Sequence, residues 1–146
     1  MRGIKKIEAK TEYLADEQQM KEDEIKQLVA GWLWKKGWRT VSGTDPPDLF
    51  ATNGEKIIGI EVIAHRFKRL PFYVSKAALE FDEGIIFFII ALEETPGHFA
   101  PLILTRNEMA AECEGKTGGR KDRYRLSIPQ DSEEWSEYCE AWGKLG

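Results

Sequence analysis

Apolar residues between positions 16 and 36 recur every three or four places: Met20, Ile25, Leu28, Val29, Trp32 and Leu33. That spacing predicts an amphipathic helix over 16–36 with a single apolar face. Acids crowd its first turns, Lys35 and Lys36 close its last, and Gly37 follows as a C-cap. Gly31 inside the helix costs roughly 1 kcal/mol against alanine, so close packing against another element is expected there. Beyond Gly37 the pattern shortens to strands. Segments 38–42, 48–52 and 55–64 read as three strands, the last two flanking Asn53-Gly54, a strong hairpin signal. A polar, basic loop over 65–70 leads to Ser75, an N-cap for a short helix to about residue 82. The run 84–92, rich in Ile and Phe, reads as a buried strand, 101–105 as another, and 106–112 as a short helix. Tyr124, Leu126 and Ile128 alternate as a half-exposed strand. A final helix is expected from 131, with Trp135, Tyr138, Cys139, Trp142 and Leu145 on one face. Helices mixed with strands in this order predict an α/β fold, a mixed β-sheet flanked by helices.

The chain has 146 residues, 42% of them hydrophobic, which suits one domain over 1–146. Its longest uncharged apolar run, 84–92, is about half what a bilayer-spanning helix needs, so no membrane association is expected. The basic start MRGIKKIEAK has no apolar stretch behind it, which argues against a secretory signal. Cys113 and Cys139 are far apart and form no CxxC pair, and the two histidines, His65 and His98, are widely separated. Neither a disulfide framework nor a thiolate or histidine metal cluster is expected, and a reduced, cytoplasmic setting is. The net charge of −4 is unevenly placed. Acids concentrate in 12–24 and 131–140, while bases gather at Arg66, Lys68 and Arg69 and over 116–125. Local basic segments on an acidic chain suit either a polyanion or plain solvation.

The informative stretch is PPDLFATNGEKIIGIEVIAHR, residues 46–66. With Asn53-Gly54 as a two-residue turn, Thr52 faces Glu55, Asp48 faces Gly59, and Glu61 is the diagonal neighbour of Asp48 on the same face. Such neighbours lie roughly 7 to 8 Å apart, close enough for two carboxylates to converge on one divalent cation. A four-residue loop keeps the same parity. Glu61 sits in the apolar run IIGIEVIA, where a charge is expensive to desolvate unless a cation meets it. Gly59 would leave room for an ion beside the pair. The alternative is that Glu61 pairs with an arginine or emerges at the strand end beside His65.

These residues resemble the PD-(D/E)XK nuclease superfamily. The likeness rests on Pro47-Asp48, a short hairpin and the apolar strand ending in Glu61-Val62-Ile63. The preceding helix with Glu24, the Gly37-Trp38 exit and the helix near Ser75 follow the family's usual order. The resemblance covers about residues 20 to 92 and implies a restriction-endonuclease-like core. It further implies a Mg²⁺-dependent (or Mn²⁺-dependent) DNA endonuclease hydrolysing phosphodiester bonds, with Asp48 and Glu61 as metal ligands. Glu24 would be the accessory helix carboxylate. Where the family has its water-positioning lysine this chain has Ile63, so Lys76 and His65 are candidates for a relocated base. The same departure supports the alternative of a catalytically decayed module that binds nucleic acid or a protein without cleavage. Arg66, Lys68, Arg69, Arg120 and Lys121 would contact DNA phosphates, and proteins of this kind often act as homodimers.

Among the tryptophans, Trp32, Trp135 and Trp142 fall on apolar helical faces and read as core. Trp34 falls off its face and would be exposed, at a dimer contact or stacked on a base. The GKT of 115–117 lacks the GxxxxGK spacing of a phosphate-binding loop, so nucleotide hydrolysis is not expected.

Overall fold

The structure, a computed structural model, describes residues 22–67, 71–82, 84–116, 121–129 and 133–146. Helix α1, Glu22–Lys35, buries Ile25, Val29 and Leu33. The earlier part of the expected helix, Met20 included, lies outside the described residues. Gly37 ends it at φ +88°, a conformation that costs glycine no steric strain. The Gly37 and Trp38 N–H groups return to the Trp34 and Leu33 carbonyls. Gly31 departs from expectation: it is exposed, and a Cβ there would meet nothing within 4 Å.

A five-stranded mixed sheet runs in the order β1-β2-β3-β5-β6. Strands β1 (Arg39–Ser42), β2 (Leu49–Thr52) and β3 (Ile57–His65) form an antiparallel meander. Strand β3 pairs in parallel with β5 (Ile86–Thr95), and β5 turns back antiparallel into β6 (His98–Thr105). The parallel step needs a crossover, supplied by β4 (Phe72–Ser75) and the single-turn helix α2 (Lys76–Leu79), whose N-cap is Ser75. Helix α2 stops three residues short of the expected end. Strand β4 was not expected from the sequence. It has four residues, and its partner, β7 (Arg123–Leu126), lies far along the chain. A pairing so short and non-local leaves little local signal.

Period-two alternation sends each central strand's side chains into two separate cores. On one face Ile58 and Ile60 of β3, Phe87 and Ile89 of β5 and Ile103 of β6 pack with Val29 and Leu33 of α1. On the other, Ile63, Phe88, Ile90, Leu102 and Leu104 pack against β4, β7 and helix α3 (Arg106–Cys113) through Phe72, Val74, Leu126 and Met109. Burial on both sides explains why β5 reads as a continuous apolar run. Helix α3 begins with a full capping box between Thr105 and Glu108.

The C-terminal segment is not the expected helix. It forms two 3₁₀ turns, Ser136–Tyr138 and Trp142–Leu145, separated by a β-bridge between Cys139 and Leu102. Trp135 and Tyr138 enter one core, whereas Leu145, with Trp142 beside it, enters the other. The segment therefore passes over the outer edge of β6, where the Glu140 N–H donates to the Pro101 carbonyl. Covering an open sheet edge satisfies backbone groups that a free-standing helix would leave unpaired. Cys139, expected on the apolar face, is exposed. Trp135 is buried as expected, and Trp32 and Trp142 are partly buried against the α1-side core. Among the described residues no helix is long and apolar enough to cross a membrane.

Leu145 is 1% exposed although it is the penultimate residue. Leu145→Ala should lower unfolding free energy by about 2–5 kcal/mol, read as a lower urea midpoint with unchanged slope. An unchanged midpoint would mean that the terminal turn contributes nothing to the fold.

Candidate metal centre

Asp48 precedes β2, and its position is fixed by the turn before it. Residues 43–48 fold back on themselves: the Gly43 N–H donates to the Asp48 carbonyl, the Asp45 N–H to the Pro47 carbonyl, and the Thr44 hydroxyl to the Pro46 carbonyl. The Asp45-Pro46 and Pro46-Pro47 bonds are cis. A Cβ on Gly43 would collide with the Pro47 backbone, so this close approach requires glycine.

The register of β2 on β3 pairs Leu49 with Ile60, Phe50 with Gly59 and Thr52 with Ile57. The connection is thus a four-residue loop, in which Asn53 Oδ1 accepts from the Glu55 and Lys56 N–H groups. The expected parity holds, but Gly59 faces Phe50, and two positions further on, just past the Leu49–Ile60 pair, the register sets Asp48 opposite Glu61. The space above Gly59 is not open to an ion. Pro47 fills it, its Cγ 2.9 Å from where a Cβ would stand.

Backbone hydrogen bonds tie the two carboxylates together reciprocally. The Asp48 N–H donates to Glu61 Oε1 at 3.0 Å, and the Val62 N–H donates to Asp48 Oδ2 at 2.8 Å. Glu61 is 9% exposed. Asp45, held at φ +49°, brings a third carboxylate, and one oxygen from each of Asp45, Asp48 and Glu61 lies within 4.8 Å of the others. Burial, then the neighbouring Asp48 carboxylate, pushes Glu61 up from its ordinary value to about 7, against the opposing pull of the Asp48 N–H. An all-oxygen donor set of this kind fits a hard divalent cation such as Mg²⁺ or Mn²⁺.

The cation that reaches the pair is one the sequence reading did not select. Lys26 of α1 places Nζ 3.4 Å from Asp48 Oδ1 and 3.9 Å from Glu22, one helical turn earlier. Burial works to lower the Lys26 ammonium, but Asp48 and, less strongly, Glu22 hold it above its ordinary value. Lysines one helical turn from an acid are common on solvated helices, and only the tertiary fold brings this one to Asp48.

The other candidates are dispersed. Glu24 is exposed and, two residues before Lys26, more than half a turn away around α1. Ile63 lies on the Glu61 face but is buried with Phe72 and Val74. His65 is fully buried, its ring edge-on to Phe72 at 5.0 Å. Lys76 sits over the Tyr124 ring, 4.9 Å from its centroid, beside a cleft lined by Leu79, Glu80 and Cys113. Arg66 is half-buried after β3, and Lys121 is exposed before β7. Lys68, Arg69 and Arg120 lie outside the described residues.

Because Glu61 titrates higher in the fold than its ordinary value, the metal-free fold gains stability from the protonated form. That gain is full below about pH 4.5 and is lost as pH rises through about 7. Glu61→Gln should flatten this part of the stability–pH profile, an effect on the order of 2 kcal/mol, measured by urea unfolding in chelator between pH 4.5 and 8. An identical profile in wild type and variant would refute the raised carboxyl.

No protein-family model matches the chain, and no curated protein matches it. Solved structures do. One is Hjc, a Holliday junction resolvase from the archaeal hyperthermophile Archaeoglobus fulgidus, at TM-score 0.56 and 19% identity, covering 85% of this chain and 99% of the other. Another is the bacterial homing endonuclease I-Ssp6803I, at TM-score 0.55 and 15% identity, covering 87% of this chain and 89% of the other. With its mixed five-stranded sheet covered on both faces, and superposable on these two structures over most of its length, the chain has a restriction-endonuclease-like α/β fold.

Proposed function

We propose that the protein is a Mg²⁺- or Mn²⁺-dependent DNA endonuclease that hydrolyses phosphodiester bonds at the Asp48–Glu61 pair. The observation that carries this reading is the pair itself: two carboxylates on facing positions of a buried hairpin, with Glu61 raised to about 7 even beside Lys26. Such an arrangement is costly unless a cation neutralises it. The two neighbours in fold, a resolvase and a homing endonuclease, act on nucleic acid by name, which supports DNA as the substrate.

Within the pair, Glu61 Oε1 and Asp48 Oδ2 already accept backbone N–H groups. Asp48 Oδ1 and Glu61 Oε2 are then the oxygens that would hold the ion, with Asp45 the third carboxylate within reach. A bound ion would polarise the scissile phosphate and steady the leaving oxygen. Lys26 supplies the positive side chain that Ile63 does not. Its ammonium, 3.4 Å from Asp48 Oδ1, would carry positive charge beside a phosphate bound at the pair. Glu22 lies on the Lys26 side of α1 and suits the accessory carboxylate position better than Glu24. The exposed Trp34, 64% accessible with Arg39 over its ring, and Val41 on the open edge strand β1 are where a homodimer would form.

Ile63, buried where a lysine would serve catalysis, favours a second reading: a module of this fold that binds nucleic acid without cutting it. Calorimetric titration with Mg²⁺ and Mn²⁺, with and without a DNA duplex, separates the possibilities. Asp48→Ala should abolish metal binding and cleavage together. Lys26→Met should retain metal binding, tightened by loss of the competing ammonium, and lower the cleavage rate by about 10²–10³-fold. Metal binding without cleavage of any DNA would support the second reading, and no Asp48-dependent metal binding in either condition would sink the nuclease reading.

A further inference from the structure

Strands β4 and β7 form a two-stranded antiparallel sheet, separate from the main one. Its register sets Tyr73 opposite Arg125 and Ser75 opposite Arg123, so these four side chains share one face. The other face carries Phe72, Val74 and Leu126 into the core. On the outer face the Arg123 guanidinium lies 3.8 Å from the centroid of the Tyr73 ring, Tyr73 is 40% exposed, and Arg125 is exposed. Arg123 itself is half-buried, and its Nε is buried without a hydrogen-bond partner. No acid stands among the four residues. Asp122, exposed at the start of β7, is the nearest in sequence, and it follows the exposed Lys121.

We propose that this outer face is a docking surface for the phosphodiester backbone of a nucleic acid. The proposal rests on the reading of the Asp48–Glu61 pair as a site that acts on nucleic acid, and it assigns that site a substrate-holding surface. Two features favour a phosphate backbone over other anions. A guanidinium already held against an aromatic ring loses little further freedom on binding, and its planar fork matches two phosphate oxygens at once. The placement also suits it. Phe72 and Val74 on the inner face pack with Ile63, which is two residues beyond Glu61 on the same face of β3. That is about 7 Å of strand rise. The small sheet thus packs onto the face of β3 that also carries Glu61, so a polyanion bound at Glu61 would have this layer as its neighbour.

The test measures binding without cleavage. Fluorescence anisotropy would follow a labelled DNA duplex and a labelled four-way junction, in chelator, across a salt series. Each phosphate contact steepens the plot of log affinity against log salt by about 0.9. Arg125→Ala should reduce the slope by about 1 and Arg123→Ala/Arg125→Ala by about 2. Should the double variant unfold, Arg125→Glu alone changes only an exposed residue and should weaken binding further than Arg125→Ala. Unchanged slopes in folded variants, or no DNA binding by the wild type, would overturn the proposal. So would polyglutamate that binds through Arg125 as tightly as DNA does, since the surface would then be a dock for acidic protein. If Asp48-dependent metal binding is absent while the arginine variants still weaken DNA binding, the nuclease reading fails and the docking surface stands.

Discussion

Everything distinctive about this protein follows from placing two carboxylates on opposite positions of one buried β-hairpin. Charges in such a position repel each other and lose their hydration, a combination that opposes folding unless compensated. Compensation here comes in layers. The backbone donates an N–H to each carboxylate just beyond the last paired positions of β2 and β3, so the hairpin itself solvates the acids. Lys26 then adds a positive charge from a different element. What is left over appears as the raised Glu61 carboxyl, a deficit of positive charge that a divalent cation would fill.

The surrounding structure keeps that arrangement in place. Pro47 seats on Gly59, the one position on the strand where no side chain opposes it, and the close turn at Gly43 fixes the start of β2. On the α1 side, Ile58, Ile60, Val29 and Leu33 hold the helix at the depth where Lys26 reaches Asp48. On the other side, the core that buries Ile63 removes any polar role for that residue and supports the small β4–β7 sheet. Stability and chemistry are therefore divided by face along the same strand: β3 buries its aliphatic residues toward both layers and gives up one position to a charge.

The central strands, the sheet's mixed character and the Asp48–Glu61 partnership were legible from sequence because each rests on local periodicity. Alternation fixes which face a residue takes, and a loop of two or four residues leaves that face unchanged. The length of the Asn53–Lys56 loop was not legible. It moved Asp48 from a diagonal position to one directly opposite Glu61, and it gave the space at Gly59 to Pro47. The C-terminal segment misled for a related reason. Its apolar spacing fits a helix, but Trp135 and Leu145 belong to opposite cores, and the open edge of β6 offered backbone partners that a helix could not use.

The sequence by itself determined a two-sided apolar sheet, a helix before it, and one carboxylate pair placed where charge is expensive. Tertiary structure alone decided which cation answers that pair. Lys26 is separated from Asp48 by more than twenty positions and lies on a helix whose acidic first turn looks merely solvated. The same holds for the Tyr73 and Arg123 stack, built by two short strands that meet only in the folded chain. Periodicity encodes faces within an element, whereas contacts between elements depend on packing, and it is packing that brought these charges and rings together.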